Sequence, residues 1–243
     1  HGHRVGAETE LDTERPQPAE GGLQTEAAVI PVGEHHGEDD AVDEGHAGAQ
    51  HRVPLRLTRR HEDNRDGGEQ RTEAYERDHN PMRQVPVLEW TENGPQRLTQ
   101  SLAILEMLSE RGPKSLLPDT PLARAKAREL AEVVNSGIQP QQNLATLQMV
   151  ESLGGDKRAH GQEVIARGLA SMERLATTAG KFLVGDEVSL ADLCLVPQLY
   201  NAERFGLELK AFPTLVRAAA ACAELPAFIA AHPDRQPDCP EQD

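Results

Sequence analysis

The sequence contains little of several residue types, and each shortage argues against a class of protein. Its three cysteines have neither zinc nor redox spacing, so we predict free thiols in a reducing compartment. It has no apolar run of transmembrane length and no charged-then-apolar leader, which predicts a soluble protein without a membrane partner. The net charge of −15 leaves no basic excess for binding nucleic acid. The acidic balance does not by itself indicate another partner.

Residues 1–64 lack phenylalanine, tryptophan, tyrosine, methionine, cysteine and serine altogether. They contain fourteen acidic residues against six arginines, and seven of the ten histidines. Burial of these few bulky apolar groups cannot offset the chain entropy that is lost on folding. We therefore predict a largely disordered segment. His35 and His36 are adjacent, but no suitably spaced ligands accompany them, so we expect no metal site.

The next part of the chain has the pattern of a β-hairpin followed by a helix. Residues 84–90 are strand-like, and a turn at 92–95 separates them from a second short strand. Pro86 interrupts the first strand, although a proline cannot donate a hydrogen bond to a sheet. A helix is predicted from Ser101 to the Gly-Pro pair at 112–113.

Residues 114–243 have the pattern of an all-helical domain. Pro140 predicts a break or kink in one of its helices. The segment 188–200 is apolar nearly all round, which indicates a helix buried in the core. Ser189 is a good N-cap for this helix, and Asp192 at the third helical position can complete a capping box. We assign both residues a structural role.

Five stretches of the sequence together resemble one protein family. They read NPMRQVPVLEW, TQSLAILEML, SGIQPQQNL, VGDEVSLADLCLVPQLYNAERF and HPDRQPD, in this order. They are similar to the zeta-class glutathione transferases, also called maleylacetoacetate isomerases. The resemblance extends from about Arg65 to the C-terminus, and residues 1–64 do not share it. It implies an α+β, glutathione-transferase-like fold, with a partial thioredoxin-like domain at 65–113 (hairpin plus helix) followed by the all-helical domain at 114–243.

The resemblance gives the proline in the first strand a role. In the family fold a cis peptide bond precedes this proline, and the residue before it turns its main-chain N–H and C=O towards the bound thiol peptide. Val85 would therefore pair with the cysteinyl unit of glutathione, which is the implied cofactor, and Pro86 would be structural. An edge-strand proline without a ligand is the alternative.

Further glutathione-binding residues follow from the same resemblance. Gln100 and Ser101 match a pair that holds the γ-glutamyl carboxylate, and the start of a helix attracts anions. A serine there could also be only an N-cap. The remaining matched positions are Gln70, near the glycyl end, and Gln139, Asn143, Leu144 and Ala145 on the helical domain.

Arg204 matches the arginine that binds the substrate's carboxylate in the family. The planar guanidinium group suits a carboxylate both in geometry and in charge. The alternative is a surface ion pair of Arg204 with Glu203 or Asp192.

The motif that activates glutathione in this family has no counterpart in the sequence. The family stabilises the thiolate with a motif of Ser-Ser-x-Ser type, yet no serine precedes Ser101. The first strand, first helix and second strand are also not recognisable, because Leu55 and Leu57 between arginines are too little for a central strand. We hypothesise that residues 1–64 are translated from a wrong frame or start, with a genuine replacement of the segment as the alternative. No catalytic residue is identified, and weak or absent catalysis is expected.

The resemblance implies a glutathione-dependent isomerase that converts maleylacetoacetate to fumarylacetoacetate in tyrosine and phenylalanine breakdown. Such an enzyme is expected to be cytoplasmic and homodimeric. A maleylpyruvate isomerase or a general zeta-class transferase is the alternative among enzymes. A non-catalytic, glutathione-transferase-like interaction module is the alternative from another class.

Overall fold

The computed structural model describes residues 27–28, 55–58 and 69–236. In this part of the chain four short strands form one sheet, and helices make up most of the remainder. The strands are β1 (Ala27–Ala28), β2 (Leu55–Thr58), β3 (Val87–Thr91) and β4 (Pro95–Thr99). The α-helices are α1 (Glu73–Asp78), α2 (Ser101–Arg111), α3 (Pro121–Glu132), α4 (Gln139–Gln142), α5 (Leu144–Ser152), α6 (Lys157–Leu175), α7 (Leu190–Arg204), α8 (Pro213–Ala223) and α9 (Pro226–Ala230).

The predicted hairpin is confirmed as β3 and β4. The two strands pair antiparallel, with Leu88 opposite Leu98 and an ion pair between Glu89 and Arg97 across the strands at 2.9 Å. Gly94, with φ of +110°, occupies the turn, where a side chain would be strained. The short buried run of β3 packs against α2, so the hairpin and this helix share a small apolar cluster.

The sheet contains two strands that the sequence analysis did not predict. β2 pairs antiparallel with β3 and β1 pairs antiparallel with β2, so the order is β1-β2-β3-β4. The edge of β3 presents main-chain hydrogen-bonding groups, and even the arginine-flanked residues of β2 can pair with them. The hydrophobic pattern of β2 alone does not indicate this pairing. The rest of residues 1–64, with His35 and His36, lies outside the described residues, so the prediction of disorder there stays a prediction.

The main core belongs to the helices α3, α6, α7 and α8. Seven side chains of α7 are buried in addition to its third residue, Asp192, as expected for a helix that is apolar nearly all round. The predicted capping box is confirmed, since the Asp192 carboxylate accepts hydrogen bonds from the Ser189 N–H and hydroxyl, both at 2.9 Å. Asp192 also accepts from the Leu183 N–H at 2.9 Å and thereby ties the preceding loop to α7.

The helical path around Pro140 differs from the prediction of a break at that residue. A π-helical segment, Val133–Ile138, continues α3, and Pro140 lies in the first turn of α4, where its missing N–H costs no hydrogen bond. The break comes instead at Asn143, which is extended and caps α5. The π-helical segment is accommodated by Gly168 of α6, because any side chain there would collide with Ile138.

The hairpin and the helical core are joined through α2. Leu102 and Leu105 of α2 pack against the helical core, and the Leu190 N–H of α7 donates to the Leu116 C=O at 3.0 Å. The Leu116 N–H in turn donates to the buried Ser109 hydroxyl at 2.7 Å. These contacts fix the hairpin relative to α7. In the part of the chain that the structure describes, no helix is both long and apolar enough to cross a membrane.

Candidate functional site

One cleft contains every residue that the sequence analysis assigned to glutathione or substrate. It has a volume of about 920 Å³ and lies between the loop before β3, the start of α2, and the adjoining ends of α4 to α7. Its walls therefore come from widely separated parts of the chain. The assigned residues that line it are Gln70, Val85, Gln100, Ser101, Gln139, Asn143, Leu144, Ala145 and Arg204.

The Val85 main chain offers an unused donor and acceptor on the cleft wall. The peptide bond between Val85 and Pro86 is cis, as the resemblance predicted. Val85 is half-buried, and neither its N–H nor its C=O bonds to another described residue. Because β3 begins only at Val87, these two groups lie beside the cleft rather than in the ladder. An extended peptide could pair with both of them, as a strand pairs with a sheet edge.

A buried asparagine shapes the loop that carries Val85. The side chain of Asn80, which is 2% exposed, donates to the Gln84 C=O at 2.8 Å and accepts from the Met82 N–H at 2.9 Å. The Tyr75 hydroxyl donates to the same Gln84 carbonyl at 3.1 Å. These bonds fix the chain on both sides of the turn. Asn80 was not assigned a role from the sequence, although it lies within a stretch that carries the family resemblance.

The N-terminus of α2 opens onto the cleft, and no described side chain caps it. Gln100 precedes the helix with φ of +73°, in the left-handed region that few non-glycine residues adopt, and its side chain makes no capping hydrogen bond. The N–H groups of Ser101, Leu102 and Ala103 bond to no described residue, and neither does the Ser101 hydroxyl. Free donors at the positive end of a helix form a carboxylate-binding arrangement.

The helical wall of the cleft is held by an amide pair. Gln142 of α4 and Gln198 of α7 bond reciprocally, with N–O distances of 2.9 and 3.1 Å. Gln198 is buried, so its amide needs this partner. The pair fixes α4, and with it Gln139, relative to α7.

Asn143 combines a structural contact with a free donor. Its side-chain oxygen accepts from the Thr146 N–H at 2.9 Å and caps α5. Its amide nitrogen bonds to no other described residue, so a donor remains on the cleft wall. Leu144 is 41% exposed beside it and offers an apolar surface.

Arg204 is the last residue of α7 and is exposed in the cleft. It makes no ion pair with Glu203 or with any other described residue, and Asp192 is buried among its own hydrogen-bond donors. The surface ion pair that was the alternative for Arg204 is therefore absent from the described contacts. Its charge remains available to an anion.

The cleft is cationic in a chain whose net charge is −15. No acidic side chain is among the described residues that line it. The cationic residues of the lining are Arg71, Arg83, Lys157, Arg158 and Arg204, of which the sequence analysis assigned only the last. The other four lie on three separate segments, so no local pattern marks them in the sequence. Such a lining favours ligands that carry several carboxylates.

The cysteines in the described part of the chain do not contribute to the cleft. Cys194 and Cys222 are free and buried in the helical core. Burial raises the pKa of the Cys194 thiol to about 11 and that of Cys222 to about 12. Ser101 supplies the only hydroxyl among the described lining residues. No group of His, Cys, Asp or Glu in residues 69–236 could hold a metal ion.

Comparison with known proteins agrees with the resemblance. Residues 157–226 match the family described as the glutathione S-transferase C-terminal domain. The chain is 45% identical over 181 residues to a Drosophila melanogaster protein named probable maleylacetoacetate isomerase 2. This match covers 73% of the chain and 77% of the relative.

Solved structures give the same result. A maleylacetoacetate isomerase from Anaeromyxobacter dehalogenans, with dicarboxyethyl glutathione and citrate in its active site, is 55% identical with a TM-score of 0.62, over 65% of this chain and 75% of that one. Another crystal structure of that protein has glutathione bound. A maleylpyruvate isomerase described as a bacterial zeta-class glutathione S-transferase is 35% identical with a TM-score of 0.65, over 71% of this chain and 83% of that one.

The fold, the arrangement of the cleft and the similarities to known proteins all indicate the same family. The chain belongs to the zeta class of the glutathione transferases, the family of the maleylacetoacetate isomerases.

Proposed function

We propose that this chain binds glutathione in the cleft and that its function is that of a maleylacetoacetate isomerase, impaired in the chain as written because the thiolate-activating serine motif is missing. The observation that carries the proposal is the convergence of nine assigned residues on one cationic cleft, where the main-chain groups of Val85 and the first N–H groups of α2 bond to no described residue. The higher identity to the maleylacetoacetate isomerase of known structure, 55% against 35% for the maleylpyruvate isomerase, favours this substrate. Maleylpyruvate isomerisation or general zeta-class transfer remains the alternative activity.

The residues of the cleft fit the parts of glutathione in turn. The N–H and C=O of Val85 would pair with the cysteinyl unit. The uncapped start of α2, with Gln100 and Ser101, would hold the γ-glutamyl carboxylate. Gln70 would approach the glycyl end, and the α4–α5 wall at Gln139, Asn143, Leu144 and Ala145 would border the peptide.

The chemistry divides between ligand and protein. Glutathione, when bound, supplies a thiolate that adds to the conjugated double bond of the substrate, so that this carbon–carbon bond becomes single and can rotate before the thiolate is expelled. The protein orients glutathione and the substrate and stabilises negative charge. Arg204 would bind a carboxylate of the substrate and keep the double bond beside the thiol.

The described lining offers no spare hydroxyl group that could donate a hydrogen bond to a thiolate, as the family's serine motif does. Its one hydroxyl, on Ser101, lies at the helix start that we assign to the γ-glutamyl carboxylate. We therefore expect the chain as written to bind glutathione and to turn over substrate weakly or not at all. A folded protein that neither binds glutathione nor isomerises would instead support the interaction-module alternative.

Two further properties rest on the resemblance. We propose that the chain forms a homodimer, which light scattering coupled to gel filtration would measure. We also propose that its reaction belongs to cytoplasmic breakdown of tyrosine and phenylalanine.

Calorimetric titration with glutathione tests the proposed site. Ser101→Ala removes a hydroxyl hydrogen bond and should weaken binding about fivefold, the effect of roughly 1 kcal/mol. Ser171→Ala is the control, because Ser171 is exposed on α6 and does not line the cleft. Equal affinities of the parent chain and both variants would contradict the placement of the γ-glutamyl group, and no binding to the parent would contradict the proposed function.

A further inference from the structure

Two guanidinium groups in the cleft have no partner among the residues that the structure describes. The Arg83 side chain is paired with Glu76, Lys157 with Glu151, and Arg71 donates to the Gln148 amide. By contrast, the side chains of Arg158 and Arg204 form no hydrogen bond or ion pair with any residue that the structure describes. Two free positive charges therefore remain in the lining.

These two arginines lie at the same end of the cleft. Arg158 is in the first turn of α6, and Arg204 is the last residue of α7. The Gln162 side chain of α6 donates to the Phe205 C=O at 2.7 Å and joins the two helix ends. The Nη2 of Arg158 lies so close to Gly206 that a Cβ built there would be 2.9 Å away. The Arg158 guanidinium thus lies against the turn that follows Arg204.

Helix stability does not account for the position of Arg158. The N-terminal end of a helix carries partial positive charge, so a cation there is unfavourable by several tenths of a kcal/mol, roughly 0.3–1 in exposed positions. Arg204, at a C-terminal end, is favourable for its helix without any ligand. An anion bound at Arg158 would remove the unfavourable charge interaction.

We infer that Arg158 binds the second carboxylate of a dicarboxylic substrate whose first carboxylate is bound by Arg204. The inference rests on the proposed function, because maleylacetoacetate carries a carboxylate at each end of its chain. Arg158 then determines specificity: it distinguishes diacids from monoacids, while glutathione itself is held elsewhere in the cleft. The two guanidinium forks would fix the substrate at both ends and so restrict its rotation to the central bonds.

Calorimetric titration with three probes tests the inference on the full chain. The probes are glutathione, S-carboxymethylglutathione with one added carboxylate, and S-(1,2-dicarboxyethyl)glutathione with two. Arg158→Gln should weaken the dicarboxyethyl conjugate by on the order of tenfold, because it removes a charge-assisted contact, and change glutathione affinity less than twofold. For the carboxymethyl conjugate, only one of Arg158→Gln and Arg204→Gln should have an effect.

A matched control separates this contact from the general charge of the protein. Arg174→Gln makes the same change on the exposed surface of α6, outside the cleft, and should leave all three affinities within twofold. Arg158→Gln should also leave the unfolding temperature unchanged within error or raise it slightly.

The outcomes are distinct. If the parent chain fails to bind glutathione, the proposed function is wrong. If the parent binds glutathione and Arg158→Gln affects all three probes equally, or none of them, only the role of Arg158 is wrong. Selective loss of the dicarboxyethyl conjugate supports it.

Discussion

At the scale of single residues, the cleft depends on a few side chains that hold main-chain groups in place. Asn80 is almost fully buried, yet it determines the path of the chain that presents Val85. Its amide supplies an acceptor to the Met82 N–H and a donor to the Gln84 C=O, two residues further along the chain. This loop is therefore as much a part of the site as the residues that would touch the ligand.

Replacing Asn80 should damage both stability and binding. Asn80→Ala leaves the Met82 N–H and one interaction of the Gln84 C=O unmade, which should lower the free energy of unfolding by about 2 kcal/mol. Glutathione affinity should fall several-fold, because the Val85 main chain is no longer fixed. Asn80→Asp keeps the acceptor for the Met82 N–H but places a buried carboxylate against the Gln84 C=O, so urea titration and calorimetry should show losses at least as large as those of Asn80→Ala. A variant with full glutathione affinity would show that this loop does not position Val85.

The two buried thiols should not react with thiol reagents in the native protein. Burial raises the pKa of Cys194 to about 11 and that of Cys222 to about 12, so both remain protonated at pH 8. Native protein treated with an aromatic disulfide reagent at pH 8 should therefore not react at these two positions, and both should react after unfolding in guanidinium. Peptide mapping of the labelled protein identifies the sites. Fast native labelling of Cys194 would mean that α7 opens readily.

Site residues could be assigned from the sequence only where the residues beside them in the chain indicate a role. Val85 and Ser101 could be assigned to glutathione because each lies inside a stretch that carries the family resemblance. The local patterns alone, a proline after a strand residue and a serine at a helix start, left a purely structural role open. Arg158 could not be assigned, since nothing beside it in sequence distinguishes it from any charged residue near a helix end. Its significance comes from a neighbour 48 positions away, Gly206.

At the scale of elements, close packing between α6 and the π-helical segment positions the helical wall of the cleft. Gly168 lies directly beneath Ile138, so the two backbones approach more closely than any side chain at 168 would permit. The residue after Ile138 is Gln139, which lines the cleft. The packing of a glycine in α6 thus fixes where a site residue lies.

Gly168→Ala tests this packing. Alanine favours a helix by about 1 kcal/mol over glycine, but the added methyl group overlaps Ile138, and overpacking costs about 1–3 kcal/mol. We expect a net loss of about 1 kcal/mol in the free energy of unfolding, measured by urea titration. The double variant Gly168→Ala with Ile138→Ala should show a smaller overlap penalty in a double-mutant cycle. Net stabilisation by Gly168→Ala alone would contradict the packing.

Elements with strong end signals could be predicted, and elements without them could not. The start of α7 follows from its capping box, and the end of α2 from Gly112 and the proline after it. By contrast, α1 is polar and short, and only the buried Tyr75 and the Thr72 cap mark it. The π-helical segment has no sequence signature, because its wide turn is a response to packing against α6.

At the scale of the whole molecule, the two parts that form the cleft are unequal in stability. The helical core contains twenty-one buried apolar residues in one cluster. The buried cluster of the hairpin consists of Leu88 and Ile104 with partly buried neighbours around them. The cleft therefore joins a strongly packed wall to a weakly packed one.

Hydrogen exchange should show this difference. We expect the amides of β3 and β4 to open with a free energy at least about 2 kcal/mol below that of the buried amides of α7. Exchange measured by mass spectrometry on peptides from the two regions checks this expectation. Saturating glutathione should slow exchange in the hairpin more than in α7, because the ligand contacts Val85 and the start of α2. Uniform protection across both regions would contradict the inequality.

The overall topology could be predicted only in part. The hairpin followed by helices is evident from residue 69 onwards, because each element has its own period or turn. The strands β1 and β2 pair through their main chains with a sheet that already exists, so their own residues carry little indication of it. Long-range pairing of this kind is decided by the partner strand.

The π-helical segment also affects how this region tolerates insertions and deletions. The Gln139 N–H bonds to the Val134 C=O, five residues back, so the segment holds one residue more than a regular helical turn. Deleting one residue between 135 and 138 would let the Gln139 N–H bond to the same Val134 C=O four residues back, as in an ordinary α-helix, so the α4 side chains would keep their direction towards the cleft. Deleting one residue within the regular helix α6 would instead turn the part that follows by about 100° around the axis, since a helix has 3.6 residues per turn. We therefore expect single-residue deletions to be tolerated better in the π-helical segment than in α6, a difference that substitution scanning would miss.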